Sequence, residues 1–279
     1  MYNFYVCHHL GLGDHISCNA IVRIISKKYK DYKIYVFCKE KYYKLISFMY
    51  RDDNRIKAYP INTKNDLDHE YFEEAQNVIK KKKKEDKSLI IGFDNFEEVY
   101  KKYYKKSNPI SYDMVMYKQL NINYNKRFKD CFWKRDRFEE NRVYKKLVKK
   151  KNYAFVHDEP SNGYSIDLKF VSRGMEIIKN DNTENLFHMA KVIENAKEIH
   201  LMESSLRNMS ETLNIKTKNL NLYTWRRRKV APTYNYKLKK IIGAKKNWRF
   251  VYSNPKKKNY LGMEMLAKLF LINYLKFNK

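Results

Sequence analysis

The sequence predicts an α/β protein made of two units, each a parallel sheet covered by helices. Three observations predict this. Short apolar runs alternate with amphipathic stretches over the first 94 residues, in a βαβαβαβ rhythm. The rhythm breaks over residues 99–138, rich in Tyr, Lys and Asn, and resumes at Asn152. Polar loops follow apolar strands in both halves, where open parallel sheets present functional loops. Residues 1–140 are assigned to the first unit and 141–279 to the second.

The apolar run 4–7 reads as a buried strand, and 16–29 as an amphipathic helix with Ile21, Val22, Ile24 and Ile25 on or near its inner face. Between them lies His8-His9-Leu10-Gly11-Leu12-Gly13-Asp14-His15. Gly11 and Gly13 lack a Cβ, so the backbone can turn sharply and approach a ligand closely. Asp14 then stands at the helix start, either as a cap for free N–H groups or as a base facing a cleft. The dinucleotide fingerprint is not present, since Ile16 stands where its third glycine belongs. Strands follow over 33–38, 56–61 and 89–93, with a helix over 41–50 between the first two. Asp66, Asp68, Glu70, Glu73 and Glu74 open a further helix that closes on residues 80–84, all lysine. Acid at its start and base at its end complement the helix dipole.

Residues 99–138 read as helical, with a break at Pro109, and 139–151 as a charged linker helix. In the second half, strands are expected over 153–156, 177–178, 198–202, 219–223 and 248–252. Helices are expected over 183–196, capped by Asn182 or Thr183, and from Ser204 to Leu213. An apolar helix over 260–277 is expected to pack back on the body, with binding flat on a membrane surface as the alternative.

The chain has 279 residues, 43% hydrophobic and 15% aromatic, enough to bury a core. No apolar run approaches the roughly 20 residues of a membrane span. The N-terminus lacks a basic stretch before its apolar run, so no secretory leader is expected and a cytoplasmic location is. Cys7, Cys18, Cys38 and Cys131 show no CxxC spacing and read as free thiols. The formal charge is +28. Lysine is spread along the whole chain beside abundant Asn, Ile and Tyr, a bias that AT-rich codons produce. A solvated basic surface is therefore expected, with weak attraction to anionic membranes and no dedicated nucleic-acid site.

Two polar loops in the second half carry candidate chemistry. His157-Asp158-Glu159-Pro160-Ser161-Asn162-Gly163-Tyr164-Ser165 combines an imidazole, two carboxylates, hydroxyls and a flexible Asn-Gly turn. Asp158 and Glu159 suit sugar hydroxyls, and Ser161 or Ser165 suits phosphate; the same residues also suit a plain surface turn. Glu203-Ser204-Ser205 opens a helix, where hydroxyls and free N–H groups suit an anion or a simple cap. Lys169 and Arg173 are candidate cations downstream. The seven histidines show no HxxxH or HExxH spacing, so no metal ligand set is expected. No P-loop and no GxSxG elbow occurs.

His9 to His15 with Arg23, Tyr112-Asp113 through Tyr117 to Arg127, and Trp133-Lys134-Arg135-Asp136 together resemble glycosyltransferases of the GT-B fold. So do Phe155 to Gly163 and His200-Leu201-Met202-Glu203-Ser204-Ser205. The likeness is to heptosyltransferase-like and related bacterial or viral sugar transferases, and the motifs occur in their order up to about Leu213. The resemblance implies two Rossmann-like units facing a central cleft, in a compact version. It implies metal-independent, cofactor-free transfer from a nucleotide-sugar to a glycan or other hydroxyl acceptor, with inversion. Asp14 matches the family's proposed base, with Gly11, Gly13 and His15 on the acceptor side. His157, Asp158, Glu159, Ser161, Gly163, Ser165, Lys169, Arg173, Glu203, Ser204 and Ser205 fall on the donor side. Glu203 departs from the Asp of many relatives. A basic nucleic-acid-binding protein and an inactive scaffold of this fold are the competing readings.

Overall fold

The computed structural model describes residues 1–8, 11–63, 65, 67–93, 96–105, 109–158, 165–224, 234–235 and 240–252. The expected helix over 260–277 and the basic stretch from Trp225 to Lys229 lie outside the described residues.

The first unit runs β1 (Tyr2–Cys7), α1 (Leu12–Lys28), β2 (Tyr32–Lys39), α2 (Tyr43–Tyr50), β3 (Ile56–Ile61), α3 (Asp68–Lys80) and β4 (Lys87–Ile90). Its four strands are parallel in the order β3-β2-β1-β4. Pro60 donates no ladder hydrogen bond, and β3 is accordingly an edge strand. α1 begins at Leu12, four residues before the expected Ile16, because Gly11 is extended (φ −89°, ψ 152°) and acts as its N-cap. Arg23, one of the residues behind the resemblance, is structural. Its guanidinium holds Asp52 at 2.8 and 2.9 Å and donates to the carbonyls of Met49 and Phe132.

The connecting region holds α4 (Phe96–Tyr103), α5 (Tyr112–Gln119), α6 (Lys126–Lys129) and α7 (Arg137–Leu147). Asp136 caps α7 by accepting from the Glu139 N–H, so this helix starts two residues before the expected Glu139. The second unit then contains β5 (Tyr153–His157), β6 (Glu176–Lys179), α8 (Ala190–Asn195), β7 (Glu198–Met202), α9 (Ser205–Ser210), β8 (Leu220–Thr224), β9 (Tyr234–Asn235), β10 (Lys240–Ile241) and β11 (Arg249–Tyr252). β6, β5, β7, β8 and β11 form a parallel sheet in the order β11-β8-β7-β5-β6, and β9 and β10 pair as a small antiparallel ladder. The helix expected over 183–196 is shorter. Asp181 accepts from both the N–H and the hydroxyl of Thr183, which holds a turn there. A 3₁₀ turn (Leu186–Met189) leads into α8. α9 likewise has six residues and ends in a turn before Leu213.

One continuous apolar core joins the two units. Ile16, Ile21 and Met49 from the first belong to the same buried cluster as Phe155, Leu201 and Leu206 from the second. At the seam, Phe48 stacks on Phe187 with ring centres 5.5 Å apart, and Trp133 packs against the same ring at 5.3 Å. The four cysteines are free thiols, three of them buried. Burial pushes the Cys38 and Cys131 thiols up to about 12. A thiol reagent at pH 8 is therefore expected to label the native protein slowly and all four cysteines in guanidinium. Fast labelling of the native state would contradict this burial.

Candidate functional site

Strand order locates the site before any side chain is considered. In an open parallel sheet, ligands sit outside the strand carboxyl ends where the winding direction reverses. In the first unit the reversal lies between β1 and β4, and in the second between β5 and β7. The chain leaves β1 into the Gly11–Asp14 turn. It leaves β5 at His157 and β7 into Glu203-Ser204-Ser205. The loops singled out by their polarity are thus the loops selected by topology.

The structure brings the first turns of α1 and α9 together across the two units. Asn208 Nδ2, in α9, donates to the Gly13 carbonyl at 2.9 Å. A Cβ on Gly13 would lie 2.9 Å from that nitrogen and 3.6 Å from the backbone N and Cα of Ser205. The absent side chain therefore admits α9, a use of this glycine that the spacing did not indicate. Asp14 sits in the first turn of α1 and is half-buried. Its Oδ2 accepts from the Gly11 N–H at 3.1 Å, so the capping role is real. A carboxylate offers about four acceptor sites on two oxygens, so capping does not by itself exclude further chemistry.

His15 is not presented to solvent: it is 1% exposed, and its ring meets His8 edge-on at 4.2 Å. Burial, reinforced by His8, keeps this imidazole neutral. Neither of its ring nitrogens has a hydrogen-bond partner among the described residues. It packs against His8 inside the protein.

On the second unit, Ser204 is the N-cap residue of α9, and its buried hydroxyl has no partner among the described residues. Ser205 is half-buried beside it. The Glu203 carboxylate accepts from the Thr224 hydroxyl at 2.8 Å, tying the carboxyl end of β7 to that of β8. Asp158 is engaged by Lys179 at 3.1 Å and lies 3.5 Å from the Ile166 N–H, so it closes the base of its own loop. Ser165 is exposed, while Glu159, Ser161 and Gly163 lie outside the described residues.

Lys169 and Arg173 do not join this group. Lys169 pairs with Asp167 at 2.8 Å and is largely exposed. Arg173 follows Ser172, whose N–H and hydroxyl donate to Glu198, the first residue of β7. That is the amino edge of the sheet, four residues of strand, about 13 Å, from Met202. Sequence order alone placed Arg173 near the loop, but the crossover to β6 carries it to the amino end of the sheet.

His157 ends β5 with its Nδ1 buried and without a partner among the described residues. Burial lowers its imidazole to about 4, while Asp158 pulls the other way more weakly. The unfolded value is about 6.5, so the unfolded chain takes up this proton first on acidification. The stability gained from the neutral ring is present above about pH 6.5 and is lost as the pH falls toward 4. Melting temperature is expected to fall across that interval, less steeply in His157→Asn. Parallel slopes in the two proteins would remove His157 from this account.

Residues that carry no recognisable spacing complete the site. Asn208, Arg127, Asp113, Arg207 and Glu211 form a polar layer under the seam. Asp113 and Arg127 stood in the stretches behind the resemblance, but no local pattern marked Asn208. Among the described residues, no three His, Cys, Asp or Glu side chains converge as a metal set would. No described helix is long and apolar enough to cross a membrane.

No protein-family profile and no curated protein matches the chain. Solved structures do. The glycosyl transferase family 9 protein from Veillonella parvula DSM 2008 superposes with a TM-score of 0.51 at 9% identity, over 96% of this chain and 90% of that one. The E. coli heptosyltransferase WaaC with ADP gives a TM-score of 0.44 at 10% identity, over 98% and 99%. E. coli ADP-heptose lps heptosyltransferase II gives 0.42 at 9% identity, over 98% and 100%. The fold is therefore of the GT-B type, with two Rossmann-like units, as the resemblance implied.

Proposed function

We propose that this chain is a glycosyltransferase moving a sugar from a nucleoside-diphosphate donor to a hydroxyl acceptor. The observation that carries the reading is the meeting of α1 and α9, the helices that follow the switch-point strands β1 and β7, at the Gly13–Asn208 contact. A reaction that joins two substrates needs two binding edges facing one crevice, and two parallel sheets whose switch-point helices adjoin suit that need. The GT-B fold adds support, as a fold-level analogy.

In the proposed reaction Asp14 accepts the acceptor's hydroxyl proton while the acceptor oxygen bonds to the anomeric carbon. The bond from that carbon to the diphosphate oxygen breaks in the same step. Its electron pair leaves with the nucleoside diphosphate, and the configuration inverts. The Ser204 hydroxyl, the Ser205 N–H and the neutral His157 ring are the described groups that suit the departing anion. The reaction as proposed uses no metal and no bound cofactor. The acceptor is a glycan or glycoconjugate in this reading, and the +28 charge suits one displayed on an anionic membrane.

A thermal-shift panel of UDP, ADP, GDP and CDP, alone and as nucleotide-sugars, tests the donor half. One family of nucleotides is expected to raise the melting temperature equally with and without EDTA. No shift with any nucleotide would overturn the proposal. A shift that vanishes on chelation would overturn its metal independence.

A further inference from the structure

The structure assigns to Asn208 a role beyond packing: we infer that it is the positioning residue that sets where the Asp14 carboxylate stands. The inference rests on the reading of Asp14 as the base.

Arg127 Nη2 and Arg207 Nη1 both donate to Asn208 Oδ1, at 3.0 and 3.1 Å. Guanidinium groups only donate, so the oxygen must face them and the amide nitrogen must face Gly13. This fixes an amide orientation that is otherwise ambiguous. Two charged donors on the oxygen also polarise the amide and strengthen its N–H toward the Gly13 carbonyl. Arg127 is itself immobile, 2% exposed and held by the Asp113 carboxylate and the Tyr124 hydroxyl.

The bonded carbonyl belongs to the peptide that joins Gly13 to Asp14. That peptide is planar, so fixing its oxygen fixes the plane that ends at the Asp14 Cα. The capping bond from the Gly11 N–H then fixes the carboxylate from the other side. Because Asn208 lies in the helix that Ser204 and Ser205 open, the same bond sets the acceptor turn against the donor-side loop. Displacements of about 1 Å between reacting groups cost on the order of 10²-fold in rate.

Asn208→Asp keeps the shape and both arginine contacts but replaces the N–H by an acceptor facing a carbonyl. Asn208→Ala removes both. The test combines hydrogen exchange of the segment 11–16 with nucleoside-diphosphate release from UDP-glucose, ADP-glucose and GDP-mannose, water serving as acceptor. Assays run well below each melting temperature, so loss of folded protein does not enter. Both variants are expected to exchange that segment at least tenfold faster. They are expected to lose at least tenfold in kcat while the donor KM stays within threefold. Unchanged exchange overturns the inference, as does faster exchange with unchanged kcat, or a change in KM alone. If the wild type turns over none of the donors, the base reading of Asp14 fails and takes the catalytic part of the inference with it. Exchange alone then decides whether Asn208 holds the turn.

Discussion

Asp14→Asn is expected to lower turnover by about 10²–10⁴-fold, the usual worth of a placed general base. The substitution is close to isosteric, and its amide oxygen can still accept from the Gly11 N–H, so the start of α1 should survive. Melting temperature and nucleotide binding are accordingly expected to stay near wild type. The loss should appear in kcat, because proton abstraction belongs to the transition state and not to donor binding. Nucleoside-diphosphate release from the donor panel, read beside thermal shift with the nucleotide alone, separates these quantities. Turnover within threefold of wild type would show that Asp14 is only the cap that its hydrogen bond makes it.

The largest effect on stability is expected at Glu211. This carboxylate is fully buried. It accepts from the backbone N–H groups of Lys245 and Lys246 at 2.9 and 3.0 Å and from Trp248 Nε1 at 2.7 Å. Arg207 Nη2 lies 3.4 Å away. Glu211→Ala would strand three donors and leave Arg207 without its countercharge. Breaking a buried pair in this way costs about 3–5 kcal/mol. Urea titration should show the midpoint falling accordingly, and Glu211→Gln should lie between the two because it restores some acceptance. A loss below about 1 kcal/mol would mean that residues 245–248 are held by packing instead.

The alternation of apolar runs and helices was enough to read both sheets, because their central strands, β1 and β2 in one and β5, β7 and β8 in the other, are apolar runs that are largely buried. The first turn was legible for the same reason. Gly11 closes the turn as the helix N-cap, though Gly13 and Asp14 already belong to α1. Element ends were less legible: Asp181 folds back on Thr183, and Asp136 captures the Glu139 N–H, through side-chain bonds that periodicity does not encode. Arg173 was misplaced because the crossover returns the chain to the amino end of the sheet, and charge carries no record of that. Asn208 was invisible for a different reason. Its partners Gly13 and Arg127 are 195 and 81 residues away, and only the fold makes them neighbours.

The shared core has an evolutionary consequence. Phe48, Trp133 and Phe187 meet as one stack, so neither half owns a finished surface there. A second unit grafted from another protein of this fold would bring a face shaped for a different partner. New specificities in this chain are therefore expected to arise by changes in its loops, with the two halves inherited together as one piece.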